Sequence, residues 1–475
     1  MVESRYMYKR KKISILYVIA TFITGCAFYR AMPIDNSAVN LALKDPSMEK
    51  VRVQAKLIRH PVLKPIDFDD RDGISPDEAA ILAVLTNPVL RAIRDRKNIS
   101  MAQLIQAGIL PNPQLDALTA GNTLGTIDAF GLGLNWDFIS LISRKERMDA
   151  ALSHVDAVDI DVAWQEWQVA QAAKLHVYRL LWIEQQVKLA RAAVKGLREN
   201  LEVVKKAVKF GVLTAVDIAA AETTLQQIRI LQLKLVQEQK REQIALNQTL
   251  GLPAGRAVLI QQNIALPSWP ALPSASQITE GLEERRLDLL ALKKGYESQE
   301  AKVMAAVLSQ FPKIKIGFTQ GGNLSSPITT GFAITLDLPF FDRNQGQIAL
   351  EKATRNQLFD EYMARIFEAR SEINRILRDM DLVKQQIAAT EKFITEFRKL
   401  VQFYYTALQA GNADILVYYN TKNNLITKRI EYVKLEQELS DLGISLEIAA
   451  GEYFPGFETS LKGHSEKSDS TEVLE

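Results

Sequence analysis

Apolar residues follow two different periods along this chain, and the two periods occur in turn. Apolar side chains occupy every second position in Leu132, Leu134 and Trp136, and the same alternation returns two hundred residues later at Phe332 and Ile334. Alternation of this kind predicts strands with two unlike faces. Elsewhere the steps are three and four residues, which predicts long helices. The clearest such series is Val187, Ala190, Val194, Leu197, Leu201, Val204 and Val208.

These elements occur in the same order twice, about 200 residues apart. A glycine-marked break at Gly211 is followed by a stretch that ends at Leu225, and Gly411 and Leu425 have the same spacing. The predicted strands and helices are 114–119, 129–139, 144–208 and 214–250 in the first copy, and 314–318, 332–338, 343–408 and 411–450 in the second. A doubled strand–strand–helix–helix unit with such long helices predicts a barrel continued by a helical tube.

The pattern divides the chain into consecutive segments. Four prolines between Pro33 and Pro65 exclude long helices, so that region is predicted to be extended. Ser75 and Pro76 predict the start of a leading helix that runs to about Ile109. The predicted organisation is 1–25 signal peptide, 26–74 extended segment, 75–253 first repeat with its leading helix, 254–277 linker, 278–450 second repeat with a leading helix over 278–310, and 451–475 polar tail.

Composition adds constraints but no chemistry. The 475 residues are 24% charged and 47% hydrophobic, with a formal net charge of +2. This near-neutral balance argues against a nucleic-acid partner, because proteins that bind nucleic acid usually carry a clustered basic face. No apolar stretch of roughly 18 residues, the length of a membrane-spanning helix, occurs outside the N-terminus.

The N-terminus has the form of a secretory signal. A basic run at residues 9–12 precedes a short apolar stretch at 13–23. The stretch ends at Gly25-Cys26, in a context that resembles a bacterial lipoprotein box, so Cys26 is the predicted lipidation site. The alternative is an incidental cysteine after an ordinary signal peptide. Because Cys26 is the only cysteine, an intrachain disulfide is impossible. Either Met1 or Met7 can be the start.

No motif for catalysis is found. The four histidines, His60, His154, His176 and His464, are dispersed and do not have the spacing of metal ligands. The sequence contains no nucleophile elbow, phosphate-binding loop or dinucleotide fingerprint. We therefore expect no enzymatic activity, no metal site and no cofactor. Trp164 and Trp167 lie three residues apart on a predicted helix, and we interpret them as core residues.

Several short segments resemble the outer-membrane efflux (TolC-like) family. They are Leu338-Pro339-Phe340-Phe341-Asp342-Arg343-Asn344-Gln345-Gly346-Gln347-Ile348, Asn87-Pro88-Val89-Leu90, Ala107-Gly108-Ile109-Leu110-Pro111-Asn112-Pro113, and Arg286-Leu287-Asp288-Leu289, in which Leu287 stands where the family has proline. Each motif is weak alone, but together they occur in the family's order over residues 75–450.

The resemblance implies an α+β membrane protein of the bacterial outer membrane that extends into the periplasm. Three chains would form a homotrimer with a 12-stranded β-barrel, four strands from each chain, continued by a coiled-coil α-helical tunnel. It implies three kinds of partner: outer-membrane lipid, a periplasmic adaptor protein and an inner-membrane pump. The expected function is a passive duct that exports drugs or metal cations. The alternatives are the duct of a type I polypeptide secretion system and a lipid-anchored periplasmic coiled-coil spacer without a pore.

The family places its two helix breaks at the periplasmic end, where the tunnel meets the adaptor. The corresponding residues here are Gly211, Val212, Leu213 and Thr214 in the first tip and Gly411, Asn412, Ala413 and Asp414 in the second. The other interpretation is that both glycines only terminate helices.

The resemblance also implies an entrance gate. Family members often have acidic residues six and nine positions after the second tip glycine, but this chain has Val417 and Asn420 there. Asp414 and Asp217 are the carboxylates that can replace them, and a helix-cap role is the alternative for both. Four aromatic residues at strand ends predict either a membrane-interface belt or packing at the junction of strand and helix: Trp136, Phe138, Phe340 and Phe341.

Overall fold

A computed structural model describes residues 29–121, 127–137, 139–262, 264, 266, 269, 273–323 and 327–454 of the chain. The chain divides into two units, residues 1–45 and 46–475. In the described part of the first unit, helix α1 (Asn36–Ala42) is capped by Asp35, which accepts a hydrogen bond from the Ala38 amide at 2.8 Å. Helix α1 buries none of its residues. The signal segment, Cys26 and Phe138 lie outside the described residues.

The second unit contains long helices and one antiparallel sheet. In chain order its elements are α2 (Met48–Leu57), α3 (Pro76–Thr86), α4 (Pro88–Gly108), β1 (Gln114–Gly121), β2 (Ile127–Asp137), α5 (Ile139–Ile142), α6 (Arg144–Lys209), α7 (Ala215–Thr249), α8 (Ala275–Thr279), α9 (Leu282–Arg285), α10 (Leu287–Leu308), β3 (Lys313–Asn323), β4 (Thr329–Asp337), α11 (Gln345–Gln409) and α12 (Ile415–Ala450).

The region predicted to be extended, 26–74, contains helices α1 and α2. The prolines bound these helices instead of preventing them, because α1 lies between Pro33 and Pro46 and α2 lies between Pro46 and Pro61. Proline excludes long helices but leaves room for two or three turns between its occurrences. The prediction of an irregular segment was therefore wrong at these two places.

The leading helices are also broken where continuous helices were predicted. Asn87 ends α3 and caps α4, since its Oδ1 accepts hydrogen bonds from the amides of Val89 and Leu90 at 2.8 and 3.2 Å. Its Nδ2 donates to the Thr249 carbonyl at 2.9 Å and so ties the break to the end of α7. In the predicted helix 278–310, Gly281 is left-handed (φ +66°) and separates α8 from α9.

The polar tail predicted at 451–475 begins with packed residues. Tyr453 stacks edge-on against Trp167, with ring centroids 4.7 Å apart, and Phe454 contacts Trp269 at 5.9 Å. Trp164 and Trp167 are buried in the main core, as predicted. The residues from 455 onward are not among those described.

The long helices pack in two rows that share α6 and α11. Near the sheet the order of contacts is α4, α6, α10, α11, and towards the tips it is α7, α6, α12, α11. Helix α6 has 66 residues and spans roughly 100 Å at 1.5 Å per residue. The predicted long helices are confirmed, and α6 differs from its predicted bounds by one residue at its C-terminal end.

The sheet has the order β1-β2-β3-β4 and is antiparallel throughout. Consecutive strands form two hairpins, and the pairing of β2 with β3 joins the two halves of the chain. Strands β1 and β4 form the edges of this four-stranded sheet.

Candidate functional site: helix tips and a two-faced sheet

Both helix breaks are built by the same hydrogen bonds. At the first tip the Gly211 amide donates to the Val208 carbonyl at 3.0 Å, and the Val212 amide donates to the Ala207 carbonyl at 2.9 Å. This pair of bonds is a Schellman motif, and it needs a left-handed residue at Gly211, where φ is +75°. The motif satisfies the last carbonyls of α6 and reverses the chain.

The second tip repeats that geometry. The Gly411 amide donates to the Leu408 carbonyl at 3.0 Å, and the Asn412 amide donates to the Ala407 carbonyl at 2.8 Å. Gly411 has φ +73°, and apart from each glycine and its chain neighbours no heavy atom lies within 4 Å of the position that a Cβ would occupy at Gly211 or Gly411. The tips are therefore surface turns whose glycines are needed for backbone conformation and not for internal packing.

Asp217 caps the helix that leaves the first tip. Its Oδ2 accepts hydrogen bonds from the Thr214 amide at 2.7 Å and from Thr214 Oγ1 at 2.8 Å. The bond from the Thr214 amide holds the pKa of the Asp217 carboxyl below its ordinary value. The carboxylate is thus ionised at neutral pH, and its position is set by its role at the start of α7.

Asp414 also caps a helix, at the second tip, but it does so from the N-cap position, which Thr214 occupies at the first tip. It is the N-cap of α12, and its Oδ1 accepts a hydrogen bond from the Leu416 amide at 2.8 Å. Val417 and Asn420 are exposed on the first turns of α12. The structure thus places all four predicted gate residues within about three turns of a tip, and it gives both carboxylates a capping contact.

The two tips differ in surface chemistry. Phe210 is 80% exposed, and Val212 and Val216 are each 74% exposed, so the first tip presents an apolar surface. The second tip presents Asn412 and Asp414 instead. Val216 was not among the predicted tip residues. The available signal was a further large apolar residue shortly after the glycine break, outside the helical series that forms the core.

The sheet has one apolar and one mainly polar face. Residues directly opposite each other in an antiparallel pair lie on the same face. Leu134 is opposite Leu115 on β1 and Phe318 on β3, and Phe318 is opposite Phe332 on β4. One apolar row therefore crosses all four strands. The exposed apolar residues of this face are Leu115, Phe130, Leu132, Leu134, Trp136, Ile316, Phe318, Phe332, Ile334 and Leu336.

The opposite face carries mainly polar and small residues. The register places Asp116, Gly133, Thr319 and Gly331 in one row across the strands. Asn135 and Gly317 form part of the next row, and a Cβ on Gly317 would lie 2.5 Å from the Leu134 carbonyl oxygen. Glycine is therefore required at Gly317, where the backbone of β2 lies close.

Three of the four predicted strand-end aromatic residues are described. Trp136 Nε1 donates to the Pro111 carbonyl at 2.7 Å, so the indole is tied to the start of β1. Phe340 and Phe341 are both exposed, immediately after β4. These positions are compatible with the predicted belt, and for Trp136 the hydrogen bond also fits a packing role at the junction.

No group of three or more histidine, cysteine, aspartate or glutamate side chains in the described chain is placed to hold a metal ion. Likewise, none of the described helices combines the length and hydrophobicity needed to cross a membrane.

The sequence over residues 279–452 matches the family described as outer membrane efflux protein. This match confirms the family resemblance inferred from the short motifs. No curated protein matches the sequence.

Solved outer-membrane proteins share the fold of this chain. The Campylobacter jejuni outer membrane channel CmeC is 14% identical, covers 94% of this chain and 98% of its own, and has a TM-score of 0.66. The Vibrio cholerae outer membrane protein VceC is 17% identical, with 80% and 96% coverage and a TM-score of 0.66. The Neisseria gonorrhoeae outer membrane channel MtrE, solved in its open state, is 15% identical, with 83% and 97% coverage and a TM-score of 0.65. At these identities the likeness concerns the fold.

Proposed function

We propose that the chain is the outer-membrane channel subunit of a tripartite exporter and that three copies form a passive duct. The observation that carries the proposal is the two-faced sheet. Its exposed apolar face suits lipid, and its polar face suits a water-filled lumen, which is the alternation of outer-membrane barrels. A soluble coiled-coil spacer has no use for such a face, so we do not favour that alternative.

The edge strands of the sheet and the outermost helices of each row support closure of a ring with further copies of the chain. An unpaired strand edge in lipid leaves backbone groups unsatisfied at several kcal/mol each, so the edges β1 and β4 need partners. The helical rows end in α4 and α11 near the sheet, and in α7 and α11 towards the tips. At each level, one end comes from the first half of the chain and the other from the second. A ring of copies joins these unlike ends, and three copies give twelve strands.

The end helices expose apolar side chains that such contacts would cover. Helix α11 exposes Phe359, Met363 and Phe367, which are spaced four residues apart and lie on one face. Helix α7 exposes Ile230 and Leu233 towards the tips. Apolar stripes of this kind usually mark contacts between proteins. We therefore assign them to the contact between neighbouring copies.

Conductance in planar bilayers tests the channel proposal. The purified full-length chain should form trimers and produce stepwise, long-lived conductance increments. Helix-only variants that lack β1–β4 should remain silent under the same conditions. Full-length trimers that insert into bilayers and yet carry no current would contradict the proposed duct.

The tips are the proposed docking surface for a periplasmic adaptor. Their residues are Gly211, Val212, Leu213 and Thr214 with Gly411, Asn412, Ala413 and Asp414. In a trimer, Asp217 and Asp414 would supply six carboxylates at the entrance, beside Val417 and Asn420. Such a ring favours cations over anions at the mouth.

Gly411→Asp should weaken adaptor cross-linking about tenfold, because docking must remove water from the added carboxylate. Gly411→Asn is the matched control. Asparagine and aspartate both tolerate the left-handed conformation and have the same shape, so only the charge differs. The site has open space for either side chain. Equal adaptor yields for the two variants would contradict docking at the second tip.

We also propose that Cys26 is acylated and holds the chain to the inner leaflet of the outer membrane. Cys26→Ala should abolish palmitate labelling while leaving barrel insertion intact, since the barrel is a separate membrane signal. Persistent labelling in the variant would place the lipid elsewhere. Acylation would make the chain resemble the drug- and metal-efflux members of the family more than the polypeptide exporters. We therefore favour small-molecule cargo over polypeptides.

A further inference from the structure

Helices α6 and α12 are joined by three polar pairs in a row. Gln171 Nε2 donates to Glu447 Oε2 at 3.0 Å, and Arg179 Nε donates to Asp441 Oδ2 at 2.9 Å. The third pair is Gln186 Nε2 to Gln437 Oε1 at 2.8 Å. Along α6 these residues are about two turns apart, so they lie on one stripe. The stripe links the two halves of the chain along the row that leads to the tips.

This stripe is buried at Gln171, Gln186 and Glu447, partly buried at its other members, and incompletely hydrogen-bonded. Gln171 is 0% exposed, and its Oε1 accepts no hydrogen bond. Ser440, also 0% exposed, has no partner for its hydroxyl, and Asp441 Oδ1 likewise accepts nothing. A buried polar atom without a partner destabilises the folded chain, because it has lost its hydrogen bonds to water without replacement. The contact is therefore weaker than an apolar helix–helix seam of the same length.

Glu447 lies in this stripe without a cation of its own. It is 2% exposed, and its second oxygen, Oε1, accepts a bond from the Phe454 amide at 3.2 Å. Lys174, whose charge acts on Glu447, is paired with Asp77 at 2.8 Å and lies over the ring of Tyr453. Burial raises the pKa of Glu447 to about 7, although Lys174 opposes the shift.

Asp441 is a second carboxyl in this stripe, about one and a half turns closer to the tips. Its partner Arg179 also approaches Glu242 at 4.0 Å, so two carboxylates share one guanidinium. Glu242 in turn contacts His176 Nδ1 at 2.6 Å. Burial raises the pKa of Asp441 to about 6, with Glu242 and Glu438 adding to the rise and Arg179 opposing it.

We propose that the contact between α6 and α12 is a proton-sensitive joint, held more firmly when Glu447 and Asp441 are protonated and loosened when both are ionised. A Glu447 protonated on Oε1 gains an O–H donor, and the carboxyl and the Gln171 amide can then pair through two hydrogen bonds: Oε1–H donates to Gln171 Oε1, and Gln171 Nε2 still donates to Oε2. Protonation thus removes a buried charge and satisfies a buried acceptor in one step.

The direction of the pH effect follows from the shifts. Both carboxyls have a higher pKa in the folded chain than their ordinary values of 4.5 and 3.8. The stability they contribute is complete below those ordinary values and is lost as the pH rises through about 6 and 7.

His60 acts in the opposite direction, because burial lowers its pKa. Its Nε2 lies 2.9 Å from the Ala163 carbonyl, away from the three polar pairs. A global melting temperature would mix the two effects, so a local measurement is needed.

The joint can affect transport because it lies on α12, the helix that leads from the second tip. This helix starts at the second tip and ends at the joint, so a change in its grip on α6 reaches the entrance along one rigid element. That consequence rests on the proposed channel function, whereas the pH dependence of the joint itself does not.

Hydrogen–deuterium exchange on the full-length trimer tests the joint. After correction for intrinsic exchange rates, peptides covering 167–186 and 437–450 should be at least about tenfold better protected at pH 5.5 than at pH 8. Glu447→Gln with Asp441→Asn should give high protection at both pH values. Glu431→Gln is the matched control, since Glu431 is an exposed carboxylate on the same helix about three turns from Asp441, and it should behave like the unmodified chain.

Equal protection of the unmodified chain at the two pH values would overturn the proposal. So would a pH difference that survives in the double variant. If the double variant does not assemble, Glu447→Gln alone must remove most of the difference, because the pKa of Glu447, about 7, lies well inside the interval from pH 5.5 to pH 8, whereas that of Asp441, about 6, lies near its lower end. Bilayer conductance is recorded on the same preparation, so a failed joint with an intact channel is distinguishable from a failed channel.

Discussion

Phe332→Arg should abolish stable insertion of the trimer into the outer membrane. Phe332 is 79% exposed on the apolar face of β4, where Phe318 packs beside it at 4.4 Å between ring centroids. An arginine on the lipid face of a barrel costs about 2–4 kcal/mol near the bilayer midplane, and a trimer bears that cost three times. The measurement is the amount of heat-modifiable trimer in the outer-membrane fraction.

Ala333→Arg is the control for that experiment. Ala333 is the next residue on β4 and lies opposite Gly317, so its side chain is on the polar face. We expect trimers close to the unmodified level, since a charge on the lumen side remains hydrated. If the two variants insert equally well, the assignment of the faces is wrong.

Arg286→Ala should lower the free energy of unfolding by about 3–5 kcal/mol, because it leaves a buried carboxylate without its cation. Arg286 Nε and Nη2 donate to the two oxygens of Asp288 at 2.8 and 3.2 Å, and Nη1 donates to the Ala449 carbonyl at 3.0 Å. The guanidinium also lies over the Trp164 ring at 5.1 Å. This single side chain joins the start of α10, the end of α12 and the core of α6.

Denaturant unfolding of the purified protein in detergent measures that loss. Arg375→Ala is the matched control, because Arg375 forms only an exposed pair with Asp379 and should cost no more than about 0.5 kcal/mol. Adding Asp288→Asn to Arg286→Ala should recover part of the stability, since it removes the uncompensated charge. A cost for Arg286→Ala as small as that of Arg375→Ala would show that the buried pair is not a structural centre.

The periodicity of apolar residues along the sequence predicted most of the long helices and strands. Helix α6 follows from an uninterrupted series of apolar steps, and Gly211 and Gly411 mark its end and that of α11. Strand alternation predicted which residues share a face. Helix α2 was missed because its ten residues carry a short apolar pattern that the prolines on either side obscured.

The pairing of distant residues could not be predicted in the same way. Gln171 and Glu447 are 276 positions apart, and nothing local distinguishes them from solvent-facing residues of a long helix. Asp217 and Asp414 were weighed as gate or cap, and only the observed hydrogen bonds identify the caps. The motif at Arg286 was found by family resemblance, but its contacts with Ala449 and Trp164 depend on how the helices pack.

Single-particle electron microscopy of the purified full-length chain tests the central claim most directly. We predict three-fold symmetric particles with a continuous central void running from a membrane-embedded ring through a helical tube about 100 Å long. Monomeric rods without an axial void, in preparations that retain folded helices and the sheet, would contradict it.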